Sequence, residues 1–172
     1  RWTNKQSDTP VMQASFKAEE LVKIAAKQKQ ILFVGHIFSY HPVMAKIKSI
    51  LRKERLKNAS FTWNKLGTFN EELVYNLLSH DIATAIDLFG PPPAQVKTLE
   101  NSGIVTDSDI IYIRLGFPNR RSCTIYINRI SDFKNKSVTL ATDKNVYLWE
   151  NDRLLKFDLN KGEFKTVFQS SK

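Results

Sequence analysis

Two side chains able to do chemistry stand four residues apart, Asn76 and His80, within EELVYNLLSHDIATAIDLFG at residues 71–90. On an α-helix that spacing puts both on one face, one turn apart. An imidazole can exchange a proton near neutral pH, and an amide can hydrogen-bond. Together they could hold a ligand, or simply be satisfied polar groups on a partly buried helix. Asp81 is either a plain helix-face carboxylate or a group that orients the surroundings of His80. His36 and Tyr40 follow an apolar run, where loops often line sites; structural roles fit each of them too.

The element that must carry Asn76 and His80 is the longest helical pattern in the chain. Val74, Leu77, Leu78, Ile82, Ala85, Ile86 and Phe89 fall at the spacing of a buried stripe. Gly90 and the run Pro91-Pro92-Pro93 end it. Ahead of it a first helix is expected from Ser15, with Ala18, Leu21, Val22 and Ala25 facing inward. Residues 31–34 (ILFV) read as a buried strand, too short for a helix. A second helix is expected from about Pro42 to Leu56, with proline in its first turn and Val43, Met44, Ile47, Ile50 and Leu51 inward. Ala59, Phe61 and Trp63 then alternate with Ser60, Thr62 and Asn64, as in a strand with one buried face.

After the prolines the period falls from about 3.6 to about 2. Strands are expected at 110–117, 123–130, 138–142, 145–149, 154–157 and 164–168. Successive hairpins without helices between them pair antiparallel. The fold class expected is α+β: an open, mostly antiparallel sheet with helices packed on one face. Residues 1–14 read as an irregular segment ahead of a single domain over 15–168.

With 172 residues the chain is long enough for one good core. Hydrophobic content of 42% and charged content of 25% place it among globular proteins. The single Cys123 excludes an intrachain disulfide, and its place in an alternating strand suits a buried, inert thiol in a reducing compartment. One cysteine and scattered histidines offer no zinc set. No apolar run approaches the roughly 20 residues that span a bilayer. The opening RWTNKQSDTP has no signal-peptide core, so a soluble cytoplasmic protein is the expectation. Net charge is +9, with six basic residues at 46–57 against Glu54 alone. That run is a solvated helix face, or an attractor of polyanions or of a phosphorylated small molecule. Nothing reads as a nucleic-acid module. The glycines, at 35, 67, 90, 103, 116 and 162, are too scattered to cradle a dinucleotide. A nucleophilic-serine motif is absent as well.

Three strings carry a resemblance. VMQASFKAEELVKIAAKQKQILFVGHIFSYHPVM resembles the passage from cofactor domain to substrate domain in the glucose–fructose oxidoreductase / inositol dehydrogenase (Gfo/Idh/MocA) family. NLLSHDIATAIDLFGPPPAQV resembles that family's helix ending in L-x-G-x-P. FPNRRSCTIYINRISDFKNKSVTLAT resembles its F-P-N-G hairpin and the strands beyond. The resemblance covers roughly residues 9–160 and leans toward the branch acting on nucleotide-sugars. It implies the C-terminal, substrate-binding domain of an NAD(P)-dependent sugar oxidoreductase, with the sheet as oligomer interface, so a homo-oligomer is expected.

By the same resemblance His80 matches the family's catalytic histidine, and Asn76 stands where an aspartate is usual. Asp81, His36 and Tyr40 fall near the substrate. Pro10 matches the proline of the family's E-K-P motif, which puts Asp8 at the glutamate and Thr9 at the lysine, beside the cofactor. Ser39 stands where many relatives have arginine. No Rossmann half is present, so no cofactor is expected on this chain by itself, and NAD(P) would need a dinucleotide domain from elsewhere. A fragment, half of a split enzyme and a non-catalytic relative all fit these departures. The alternative function is a scaffold or binding module that keeps the fold.

Overall fold

A computed structural model describes residues 15–170. Strand β1 (Leu56–Asn64) lies at the middle of the sheet. Its alternation buries Ala59 and Phe61 on one face, while Ser60 and Thr62 line the other. The remaining strands are β2 (Gln95–Ser102), β3 (Ile110–Phe117), β4 (Arg121–Asn128), β5 (Asn135–Thr142), β6 (Val146–Glu150), β7 (Arg153–Asp158) and β8 (Glu163–Gln169). They form one open sheet in the order β2-β3-β4-β1-β5-β6-β7-β8. Every pairing is antiparallel except β1 with β4. That parallel pair is possible because a long connection, with a helix and two strands, separates the two in sequence.

The helices are α1 (Ser15–Lys27), α2 (Pro42–Leu51) and α3 (Ser79–Phe89). α2 buries Val43, Met44 and Ile47; α3 buries Ala85, Leu88 and Phe89. These join Ile113, Leu115, Ile125, Ile127 and Leu140 of the sheet in a single apolar core. The α+β class, the antiparallel meander from β5 to β8 and the inward stripe of α2 all follow the sequence pattern.

Five features differ from expectation. The helix over 71–90 is not uninterrupted: residues Val74–Leu78 form a π-helical turn before α3 begins. There the Ser79 amide donates to the Val74 carbonyl, five residues back. The second helix stops at Leu51 rather than Leu56. The turn that ends it is pinned by Glu54, whose carboxylate accepts from Thr142 Oγ1, Asn145 Nδ2 and Tyr147 OH.

Residues 31–34 are neither strand nor buried: Ile31 is 95% and Phe33 61% exposed. No described strand pairs with their main chain. Leu21 and Val22 of α1 are likewise exposed rather than inward. Finally, β2 was not expected, because Gln95 to Ser102 has no apolar alternation and buries nothing; main-chain pairing with β3 makes it a strand.

A buried ionic knot positions the approach to α3. Arg129 Nε donates to Asp109 Oδ1 at 3.0 Å, both side chains fully inside. Arg129 Nη1 also donates to the carbonyls of Thr68 and Glu71, fixing the loop that enters the π turn. Burial pushes the Asp109 carboxyl up. Hydrogen bonds from the Thr106 amide, the Ile104 amide, Thr106 Oγ1 and the Val105 amide outweigh that and hold it well below the usual carboxylate range.

A depressed folded-state value contributes stability above the unfolded value of an aspartate, lost as pH falls through the folded value. Urea unfolding at stepped acid pH should show this limb in the native chain, and Asp109→Asn should lack it. Phe61→Ala should cost about 3–5 kcal/mol by the same urea measurement, since it empties the core at the central strand.

Candidate functional site

His80 stands in the first turn of α3 and is 9% exposed. Its ring meets two others edge to face: His36 at 5.5 Å between centroids and Phe38 at 6.1 Å. His36 leads into a 3-10 turn, Ile37–Tyr40, which carries Phe38. Burial lowers the His36 pKa, so its imidazole is neutral at physiological pH. Its Nδ1 is buried without a hydrogen-bond partner. A neutral imidazole beside a second histidine can accept a proton or hold a polar ligand.

Asp81 follows His80 in sequence but points elsewhere. One residue is a rotation of about 100° on a helix, and this one turns the carboxylate into the interior, 1% exposed. There Lys136 Nζ lies 3.2 Å from Asp81 Oδ1. The same ammonium sits 3.5 Å from the ring centroid of Phe38 and 3.4 Å from that of Trp63. Burial raises the Asp81 pKa, with Lys136 pulling it back. Burial lowers Lys136 to about 8, with Asp81 opposing.

This cluster forms one wall of a cavity of about 260 Å³, lined also by His41, Trp149 and Asp152. His41 Nδ1 accepts from the Val43 amide and so caps α2. Its Nε2 then carries the proton, donated to Asp152 Oδ1 at 3.2 Å.

The expected site residues therefore divide. His36 and His80 come together. Asp81 lines the neighbouring cavity. Asn76 lies half-buried in the π turn, where its carbonyl accepts from Ser79 Oγ. Tyr40 is 68% exposed and packs on Phe33 instead. Thr9 and Pro10 lie outside the described residues. Sequence reasoning missed Lys136 and His41. Lys136 carried a signal: it stands in phase with Val138 and Leu140, the inward residues of its strand. A lysine in phase with core positions has to bring its charge inside.

Several solved structures superpose on this fold. UDP-N-acetylglucosamine 3-dehydrogenase GnnA from Acidithiobacillus ferrooxidans superposes with a TM-score of 0.84 at 15% identity, over 95% of this chain and 55% of that one. The dehydrogenase MviM from Clostridium difficile gives 0.75 at 19% identity, over 94% and 53%. Levoglucosan dehydrogenase, solved with NADH and levoglucosan, gives 0.69 at 14% identity, over 81% and 47%.

This is the fold of Gfo/Idh/MocA-type oxidoreductases.

The chain spans about half the length of those proteins. No protein-family model and no curated protein sequence matches it.

The Lys136–Asp81 pair gives a pH signature. A lysine that releases its proton more easily when folded adds stability as pH rises from about 8 toward its unfolded value of 10.5. Lys136→Met should abolish that rise in urea unfolding. It should also destabilise the chain at neutral pH by about 3–5 kcal/mol, by leaving Asp81 buried and unpaired. Asp81→Leu added to Lys136→Met should restore much of that loss.

Proposed function

We propose that this chain is the substrate-binding half of an NAD(P)-dependent oxidoreductase acting on a sugar or nucleotide-sugar. The observation that carries the reading is the fold shared over half the length of such enzymes, with a histidine presented at the start of α3. The exposed apolar side chains of α1 and of residues 31–34 support it, as surface suited to a second, cofactor-binding half. The described residues offer no glycine-rich turn at a helix N-terminus, so this chain does not fit the dinucleotide itself. NAD(P), held by that other half, would take the hydride.

His80 acts on this chain as the acid/base or oxyanion partner at the substrate hydroxyl. His36 is its neighbour toward substrate, with Asn76 one turn earlier and Tyr40 on the exposed turn after His36 as outer contacts, while Asp81 faces the adjoining cavity. By the resemblance Thr9 and Pro10 are the positions assigned to the cofactor, and the open sheet face serves a homo-oligomer. Taken by itself the chain is inactive. The second reading, a non-catalytic scaffold, is favoured by Thr9 and Asn76, which replace the family's two proton-handling residues.

The test is to read the coding sequence ahead of Arg1 and express the whole product. Sugar-dependent NAD(P) reduction is expected, with His80→Asn lowering kcat by about 10²–10⁴-fold. A product with no dinucleotide domain and no activity would leave the scaffold reading. This chain by itself should not bind NADH in a fluorescence titration, and micromolar binding would sink that part.

A further inference from the structure

We infer that a second site, at the far end of α3, binds a compact phosphate-bearing anion. Phe89 closes α3 nine residues after His80, about 14 Å along the axis. There a concave surface of about 370 Å³ is lined by Arg52, Lys53, Arg55 and Arg121, with Leu51, Leu56 and Leu88 as its apolar lining. The first three come from the turn between α2 and β1. Arg121 opens β4, more than sixty residues later, so only the fold brings it to the others.

Four cations converging on one hollow repel one another, and the structure does not neutralise them. None of the four forms an ion pair among the described residues. The two carboxylates present are already engaged. Glu54 accepts from Thr142, Asn145 and Tyr147. Burial pushes its carboxyl up, but those bonds and Lys144 bring it below its usual value, so it stays ionised. Asp143 Oδ1 accepts from the Arg55 amide. Lys144 adds a further cation at the rim, its Nζ donating to the Lys53 carbonyl.

Arg121 is held ready. Its Nε donates to the Pro118 carbonyl and its Nη1 to the Phe89 carbonyl, and the guanidinium lies over the Phe89 ring at 5.6 Å. Five N–H groups less these two leaves donors for a ligand. The four lining cations against two carboxylates leave a surplus of two positive charges, the complement of a phosphate dianion, and Lys144 beside them adds a third. Guanidinium forks match phosphate oxygens in pairs. Convergence on one hollow, rather than along a stripe, favours a small phosphorylated molecule over a nucleic-acid strand.

The experiment is an amide NMR titration of this chain with inorganic pyrophosphate at constant ionic strength. Saturable shifts are expected at Arg52, Arg55, Arg121 and Asp143, not at His80. Arg121→Gln and Arg55→Gln should each weaken binding about tenfold. Arg121 braces the end of α3 and its loss could unfold the chain. Arg55 bonds in the fold through its main-chain amide and carbonyl, both to Asp143, which Arg55→Gln leaves in place, so that variant decides the matter by itself. Absence of saturation, or unchanged affinity in Arg55→Gln, overturns the site. An oligothymidylate that binds more tightly and is not displaced by pyrophosphate also overturns it, in favour of an extended polyanion. None of these results depends on dehydrogenase activity.

Discussion

Four elements meet at the ammonium of Lys136. β5 supplies the lysine, β1 the Trp63 ring, the 3-10 turn the Phe38 ring, and α3 the carboxylate of Asp81. Taking both charges out of water costs several kcal/mol per ion. The ion pair and two ring contacts, each worth about 0.5–2 kcal/mol, offset that cost only while all four elements keep their places. The consequence for function is directional. With Asp81 locked inward, His80 is swung around the helix toward His36 and Phe38. The polar site is thus oriented by a pair that belongs to the interior, not to the site.

The Arg129–Asp109 knot does the complementary work at the other side of His80. It holds the carbonyls of Thr68 and Glu71, and so fixes where the chain enters the π turn. A π turn inserts an extra residue into the helical phase, and such turns concentrate at functional sites. Here it lies between Leu73, which is buried, and Ser79, whose hydroxyl returns to the Tyr75 carbonyl. The phase shift lets Leu77 and Leu78 both face the core while Asn76 stays half-exposed.

The sequence made the core legible because its periodicities are strong. Phe61, Ile125 and Leu140 announce themselves by alternation, and Val43, Met44 and Ile47 by helical spacing. β2 was illegible because an edge strand needs no apolar face, only main-chain partners. The π turn was illegible because one inserted residue leaves an apolar stripe looking continuous. His36 beside His80 could be guessed only through the resemblance, since their meeting depends on how a 3-10 turn packs on a helix. Lys136 was overlooked because the expected strand began at Val138, when its phase with Val138 and Leu140 already placed it inside.

Residues 31–34 are the instructive disagreement. Their composition is that of a buried strand, yet Ile31 and Phe33 stand in solvent. Burying each such side chain would gain about 1.5–3 kcal/mol. α1 repeats the pattern: Leu21, Val22 and Ile24 form an exposed apolar surface on a helix. Two adjacent segments that each carry the pattern of a packed element, and stay largely exposed among the described residues, are better explained together than apart. A strand edge supplied by the proposed cofactor-binding half would pair the main chain of 31–34 and bury its side chains. The same half would cover the apolar face of α1. On that account the local pattern is correct and its partner lies outside the described residues. The π turn, His36 and His80 then lie close behind the seam, where a substrate held between two halves would have to reach.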